Sequence, residues 1–585
     1  MSYDVVEAGI VQLAAALARG EVTSAELVDA YLARIAAYDH AGPHLNSVVV
    51  LDPNARAEAE ESDRRRTRGE LMGPLDGIPY TAKDSYSATG LTVAGGSPAF
   101  AHLVAQRDSY AVGRLRGAGA ILLGLTNMPP MANGGMQRGL YGRAESPYNP
   151  AYLTAPFASG SSNGSGTATA ASLAAFGLGE ETWSSGRGPA SNNGLCAYTP
   201  SRGVISIRGN WPLVPTMDVV MPHIRSMPDL LTLLDVLVAP DVVTRGDFWR
   251  EQPWIAIPPV DRLRPVSYAA LAPADAEHAR EVLRGKRFGL PRMYCNLDDE
   301  AGTASEGGVG GPTGRRIETR ASALDLLWAL VEDLRAAGAE VVLTDFPIVS
   351  NYEADRPGAA TIRTRGLVSP VYLEREVQDL AAWSWDDFLH ANGDPGLHRL
   401  ADIDGAQIFP PPPGALKDRY HDFGDDIALF PGYARAHPLV PLREHTWVAE
   451  GIAGLDRTRE LDLDAWLDSE RLDAVIFPAV ADVGPADADV DRLRRSRLAQ
   501  RRLGRQRQSR AAPFRPPDRH HRDGRDARHQ HAGRPHVRRP PLRRHRAAVI
   551  CRGHRSPVPA PQPPPRTPAL RSPAHRSPAL RSPSH

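Results

Sequence analysis

The stretch GSSNGSGTATAASLAAFGLGEETWSSGRG, Gly160–Gly188, decides how this chain reads. Its two ends are rich in Ser, Gly and Asn, and such runs are commonly turns or linkers. Its middle, from Gly166 to Gly179, is small and apolar and reads as a buried helix. A linker has no reason to follow a buried element with Trp183, Ser184, Ser185 and Arg187 in one tight turn. The segment GSSNG also fits the G-x-S-x-G nucleophile elbow, with Ser162 as nucleophile. That reading needs a downstream His as its base.

Upstream, GPLDGIPYTAKDS (residues 73–85) places Lys83 at the end of the short apolar run Ile78–Ala82. A lysine after a strand is commonly a solvated charge. Lys83, however, is one of three lysines among 68 basic residues. A desolvated lysine can give up its proton and act as a base, which a guanidinium does not do.

Further out, helices alternate with strands. Thr23 with Glu26 forms a capping box, and Leu27, Tyr31 and Ile35 fall on one helical face. AVGRLRGAGAILLGLTNM (residues 111–128) reads as a helix, a Gly turn and a strand ending at Leu125. GKRFGLPRMY reads as a strand around Phe288. ASALDLLWALVEDLRAAGAEVVLTDFP (residues 321–347) is an αβ unit. Leu324, Leu327, Val331 and Leu334 make its helical stripe, Gly338 its C-cap and Val341–Leu343 a buried strand. LDAVIFPAV (residues 472–480) reads as another buried strand. The alternation implies an α/β fold with a parallel or mixed sheet. Residues 239–285 and 345–465 are less periodic and read as excursions that build a binding cleft.

The chain has 585 residues and no formal net charge. That balance hides two compositions. Residues 491–585 hold 26 Arg, no Lys and 4 Asp, which leaves residues 1–490 acidic. The tail lacks apolar periodicity and ends in RSPAHRSPALRSPSH, so it is expected to be disordered. A nucleic-acid-binding arm is one reading. The absence of Lys and the Arg, Pro, Ala, Gly and His bias match out-of-frame reading of GC-rich DNA. The frame is therefore expected to shift near Val490, and nucleic acid is not an expected partner. Cys196, Cys295 and Cys551 are odd in number and far apart, which predicts neither a disulfide framework nor a metal site. No basic-then-apolar leader and no apolar run of about 18 residues is present, which predicts a cytoplasmic protein without a membrane segment.

Four motifs in order resemble the amidase signature family: GPLDGIPYTAKD, GLTNMPPMA, the Ser-Gly stretch above, and DVVMPHIRS (residues 218–226). The likeness is close over about residues 5–240 and looser over 280–345 and 470–480. It implies one amidase-signature domain over residues 1–490, with a central mixed sheet covered by helices on both faces. It implies an amidase acting on linear carboxylic amides, with no metal and no cofactor. Carried over by position, the catalytic lysine is Lys83, the bridging serine beside a cis peptide bond is Ser161, and the nucleophile is Ser185, with Arg187 following. The oxyanion hole is implied at the backbone of Thr182, Trp183 and Ser184. The family pattern G-T-D-x-G-G-S is here GEETWSS, so Glu180 and Glu181 replace Thr-Asp and Trp183-Ser184 replace two glycines. His223 replaces an apolar residue and is expected to be packed rather than catalytic. The expected partner is a small-molecule amide, and a homodimer is compatible with the sequence. Alternatives are the Ser162 hydrolase, the A-type component of a tRNA-dependent amidotransferase, and an inactive product or a nucleic-acid binder.

Overall fold

The computed structural model describes residues 3–304, 316–362, 364–416, 419–420, 425–490 and 564–568. Among the described residues nine strands form two sheets. The larger has the order β1-β3-β2-β4-β6-β5. Its strands are β1 (Val48–Leu51), β2 (Pro79–Lys83), β3 (Ile121–Thr126), β4 (Phe176–Glu181), β5 (Cys196–Ala197) and β6 (Val219–Ile224). β2 runs parallel to β3 and β4, while β1, β6 and β5 pair antiparallel with their neighbours. The sheet is mixed, as its residues imply. The smaller sheet is parallel, with β7 (Arg287–Pro291) between β8 (Glu340–Thr344) and β9 (Ala474–Val475).

Helix Asn163–Ala170 crosses the larger sheet and explains the small residues on both sides of the contact. A Cβ on Gly177 of β4 would lie 2.7 Å from the hydroxyls of Ser165 and Thr169. A Cβ on Gly164 would lie 2.3 Å from the Asn127 backbone nitrogen, and one on Gly166 2.9 Å from Pro189. Glycine is needed here for close approach. Tyr80 of β2 and Phe176 of β4 stack with ring centroids 5.2 Å apart and belong to the main apolar core.

The apolar run after Gly166 is therefore half helix and half strand. The helix stops at Ala170, Ser172 takes a left-handed φ of 53°, and Phe176–Glu181 becomes the central strand β4. The single long helix expected there is corrected on this point. Its residues are buried throughout, so the period that separates helix from strand is masked. The Thr23–Glu26 capping box is present, and Leu27, Tyr31 and Ile35 are buried. The αβ unit is helix Ala321–Ala336 and β8, although Leu343 is 42% exposed. LDAVIFPAV forms only the two-residue β9, so the long buried strand expected there shrinks to a short edge.

The described residues of 345–465 are largely helical. They include Pro370–Arg375, Ala381–Asn392 and Thr446–Arg459. Trp385 on the second of these sits 5.8 Å from Trp211 and 6.3 Å from Phe100, so the excursion shares a core with the loops above the large sheet. It also walls a cavity of about 350 Å³ with Trp383 and Phe388, opposite Asn210, Pro212 and Asp218.

The remaining differences are local. Cys196 is disulfide-bonded, while Cys295 is free. Most of residues 491–585 lie outside the described residues. Of that tail, Pro564–Pro568 are described and held. Arg566 donates to Ser146 O (2.7 Å) and Pro43 O (3.0 Å), and Arg34 donates to Thr567 O and Pro568 O (both 2.9 Å). In this contact two guanidinium groups satisfy backbone carbonyls, one from each side. No helix among the described residues is long and apolar enough to cross a membrane.

Candidate active site

β2 ends at Lys83, which is fully buried. Its ammonium nitrogen donates a 2.7 Å hydrogen bond to Ser161 Oγ, which is also fully buried and sits just before helix Asn163–Ala170. Burial lowers the Lys83 pKa, because desolvation penalises the ammonium, and the carboxylates of Glu180, Asp218 and Glu181 oppose that shift.

β4 ends at Glu181, and the chain turns through Thr182–Gly186 into the short helix Arg187–Asn192. The turn is tied to the Ser161 segment at two points. Ser162 N–H donates to Ser185 O at 3.0 Å. The Ser184 hydroxyl lies 2.8 Å from both Ser159 O and Ser159 Oγ. Glu181 holds the turn from below. Its Oε2 accepts the N–H groups of Gly186 (3.2 Å) and Arg187 (2.9 Å), and its Oε1 pairs with the Arg187 guanidinium at 2.9 Å. Arg187 also donates to Trp183 O. The Thr182 hydroxyl donates to Asp218 Oδ1 at 2.5 Å, and Asp218 Oδ2 accepts from the N–H groups of Leu213 and Val214. The Trp183 ring packs on Met128, Ala132, Leu213 and Val214.

Ser185 is 2% exposed. Among the described residues its hydroxyl makes no hydrogen bond, and neither do the backbone N–H groups of Ser184 and Ser185. These groups are unengaged within the described residues. The structure thus brings Lys83 and Ser161 into contact and Ser185 into the adjoining turn, but the link from Ser161 to Ser185 is not made. No peptide bond among the described residues is cis, so the cis bond implied beside Ser161 is corrected. A non-proline cis bond costs about 2.5–4 kcal/mol, and the contact from Lys83 to Ser161 forms without it.

Ser162 is occupied structurally. Its hydroxyl donates to Glu180 O (2.9 Å) and accepts Glu180 N–H (3.1 Å), and it is fully buried. No histidine among the described residues reaches it by a hydrogen bond, as an elbow nucleophile would need. His223 on β6 is buried and bridges Ser165 Oγ (3.0 Å) and Gly186 O (2.8 Å), with its pKa pushed down to about 4 by burial. It is packed and hydrogen-bonded, as expected.

Glu180, which the sequence marks only as a departure from the family pattern, stands beside Lys83. Its Oε2 lies 3.9 Å from Lys83 Nζ and accepts a hydrogen bond from Ser85. The available signal is two consecutive acids in an otherwise small and apolar stretch. Among the described residues, no group of His, Cys, Asp and Glu stands together that could hold a metal ion.

Known proteins resemble this chain in both sequence and fold. Residues 26–252 match the model of the Amidase family. The A component of glutamyl-tRNA(Gln) amidotransferase from Halorhodospira halophila is 30% identical over 347 residues, covering 59% of this chain and 64% of that protein. The AtzE component of 1-carboxybiuret hydrolase from a Pseudomonas species is 35% identical over 238 residues, covering 40% of this chain and 51% of that one. The chain therefore spans about half to two thirds of the length of these curated relatives. Peptide amidase from Stenotrophomonas maltophilia superposes with a TM-score of 0.59 at 26% identity, over 88% of this chain and 99% of that one. With its ordered motifs, its mixed sheet and these likenesses, the chain matches the amidase signature family over residues 26–252 and shares its fold with peptide amidase.

Proposed function

We propose that the chain hydrolyses the C–N bond of a linear carboxylic amide through an acyl-enzyme on Ser185. The observation that supports this reading is the buried 2.7 Å contact from Lys83 to Ser161, set beside the turn that presents Ser185. A serine hydroxyl is a poor nucleophile until a base takes its proton. In this reaction neutral Lys83 takes the proton of Ser161 as Ser161 takes that of Ser185. Hydrogen bonds of this kind commonly close only when substrate is bound. Ser185 Oγ attacks the amide carbon, and the oxyanion is met by N–H groups of the Thr182–Ser185 turn. Ser161 returns a proton to the departing amine and is refilled by Lys83. Water then attacks the ester by the same relay, releasing the acid and free Ser185.

Amine or ammonia release from a panel of linear amides tests this, with Ser185→Ala alongside. Hydrolysis by the wild-type chain that disappears in the variant supports the reading. A wild-type chain silent across the panel overturns it. The likeness to a component of glutamyl-tRNA(Gln) amidotransferase favours a second reading, in which the chain releases ammonia within a larger assembly. Activity of the purified chain alone, with no other protein added, argues against that.

A further inference from the structure

Glu180 is a buried acid that the proposed reaction does not use. It occupies the end of β4, and its Oε2 faces Lys83 Nζ across 3.9 Å with both side chains almost fully buried. Its position is fixed from two sides. Ser162 Oγ clamps its backbone N–H and C=O, and Ser85 donates to the oxygen that faces Lys83. Lys83 donates to Ser161 and so keeps its nitrogen in line with the relay. We propose that Glu180 is a positioning residue, the buried counter-ion of Lys83, which keeps a proton on the lysine and thereby sets how alkaline the medium must be before Lys83 can act as the base.

The other charged groups around Lys83 are engaged elsewhere. Glu181 is ion-paired with Arg187 and accepts two backbone N–H groups. Asp218 accepts from Thr182, Leu213 and Val214. His223 is held at about 4 and carries no charge near neutral pH. Asp84, next along the chain, is pushed up to about 7 by burial and accepts Gly96 N–H. Glu180 is the one carboxyl among the described residues placed within 4.0 Å of Lys83 Nζ. Burial drives the lysine towards its neutral amine, and the facing carboxylate opposes this. Removing the carboxylate's charge while keeping its shape frees the burial effect.

The inference rests on Lys83 being the base of the proposed reaction, so the test reads the lysine directly. The chain has three lysines, Lys83, Lys286 and Lys417, and lysine labelled with ¹³C at Cε gives few enough signals to assign by Lys83→Arg. In Glu180→Gln the Lys83 titration midpoint should fall by about 1–3 pH units, the effect of an opposite charge at this range. The rising limb of kcat/KM against pH should move down with it. Ser85→Ala, a milder change that withdraws a donor from the carboxylate, should move the midpoint the same way by less, and it serves if Glu180→Gln does not fold. An unchanged or raised midpoint overturns the proposal. A lowered midpoint in a chain that hydrolyses no amide upholds the pairing and refutes the amidase reading instead.

Discussion

His223, at the turn that carries Ser185, should make a contribution to stability that mild acid removes. The His223 ring lies buried between β6 and helix Asn163–Ala170, with Nε2 2.8 Å from Gly186 O and Nδ1 3.0 Å from Ser165 Oγ. A carbonyl only accepts, so Nε2 carries the proton and Nδ1 accepts from the serine. Burial lowers the pKa from 6.5 to about 4. The unfolded chain, with an ordinary histidine, therefore takes up a proton at a pH where the folded one does not. This contribution is fully present above about pH 6.5 and is lost as pH falls towards 4. At pH 5 the loss is about 2 kcal/mol, against a net stability of about 5–15 kcal/mol. Urea melts at pH 7 and pH 5 measure it, on the wild type and on His223→Gln, whose amide can donate to Gly186 O without titrating. The wild type should lose about 2 kcal/mol more than the variant between the two pH values. Equal losses would refute the assignment of a neutral, burial-shifted histidine.

Three further outcomes follow from the geometry. Lys83→Arg should reduce kcat/KM about 10²–10⁴-fold, as severely as Lys83→Met, because a guanidinium does not deprotonate; retention of a tenth of the rate would remove Lys83 from the mechanism. Ser185→Ala should abolish turnover and acyl-enzyme formation with the melt unchanged, whereas Ser162→Ala should cost about 1–3 kcal/mol in the melt by orphaning Glu180 backbone groups, and the reverse pattern would revive the elbow reading. Gly451→Ala should destabilise by about 1–3 kcal/mol despite the better helix propensity of alanine, because the new Cβ would lie 1.9 Å from the ring of Tyr372, which is itself buried and bonded to Glu376; a raised melting temperature would refute this.

What could be read in advance follows from how local each signal is. The capping box at Thr23 and Glu26 lies within one turn and is legible in four letters. The pairing of Lys83 with Ser161 spans 78 residues, and only the order of motifs points to it. The strand character of Phe176–Glu181 is hidden because every residue there is buried on both faces, which erases alternation. The shortness of β9 is hidden for a related reason. Leu472–Val480 has a strand's composition, but tertiary pairing with β7 reaches only Ala474 and Val475. Glu180 is visible as a departure from the family pattern, but its distance to Lys83 depends on how β2 and β4 align. In the structure Ala82 of β2 stands opposite Leu178 of β4, and that register is not written in either segment alone.

The substitution of Trp183 and Ser184 for two glycines has a physical resolution in the turn itself. Glycine would be indispensable there if the backbone entered the left-handed region, and no non-glycine residue between Glu181 and Arg187 does so; Gly186 itself has φ −98°. The turn is therefore open to side chains wherever they find room. Trp183 finds it in an apolar cluster with Met128, Ala132, Leu213 and Val214, and Ser184 finds it against Ser159. Both anchor the turn through contacts that a glycine does not make. Glu181 reaches two N–H groups and the Arg187 guanidinium, so the entry to helix Arg187–Asn192 is fixed by a carboxylate at its N-terminus. Alongside the backbone bond from Ser162 N–H to Ser185 O, this anchoring leaves the N–H groups of Ser184 and Ser185 without an internal acceptor among the described residues. A turn held by its side chains keeps its donors for a ligand, and on that ground the departures from the family pattern are compatible with the chemistry proposed for Ser185.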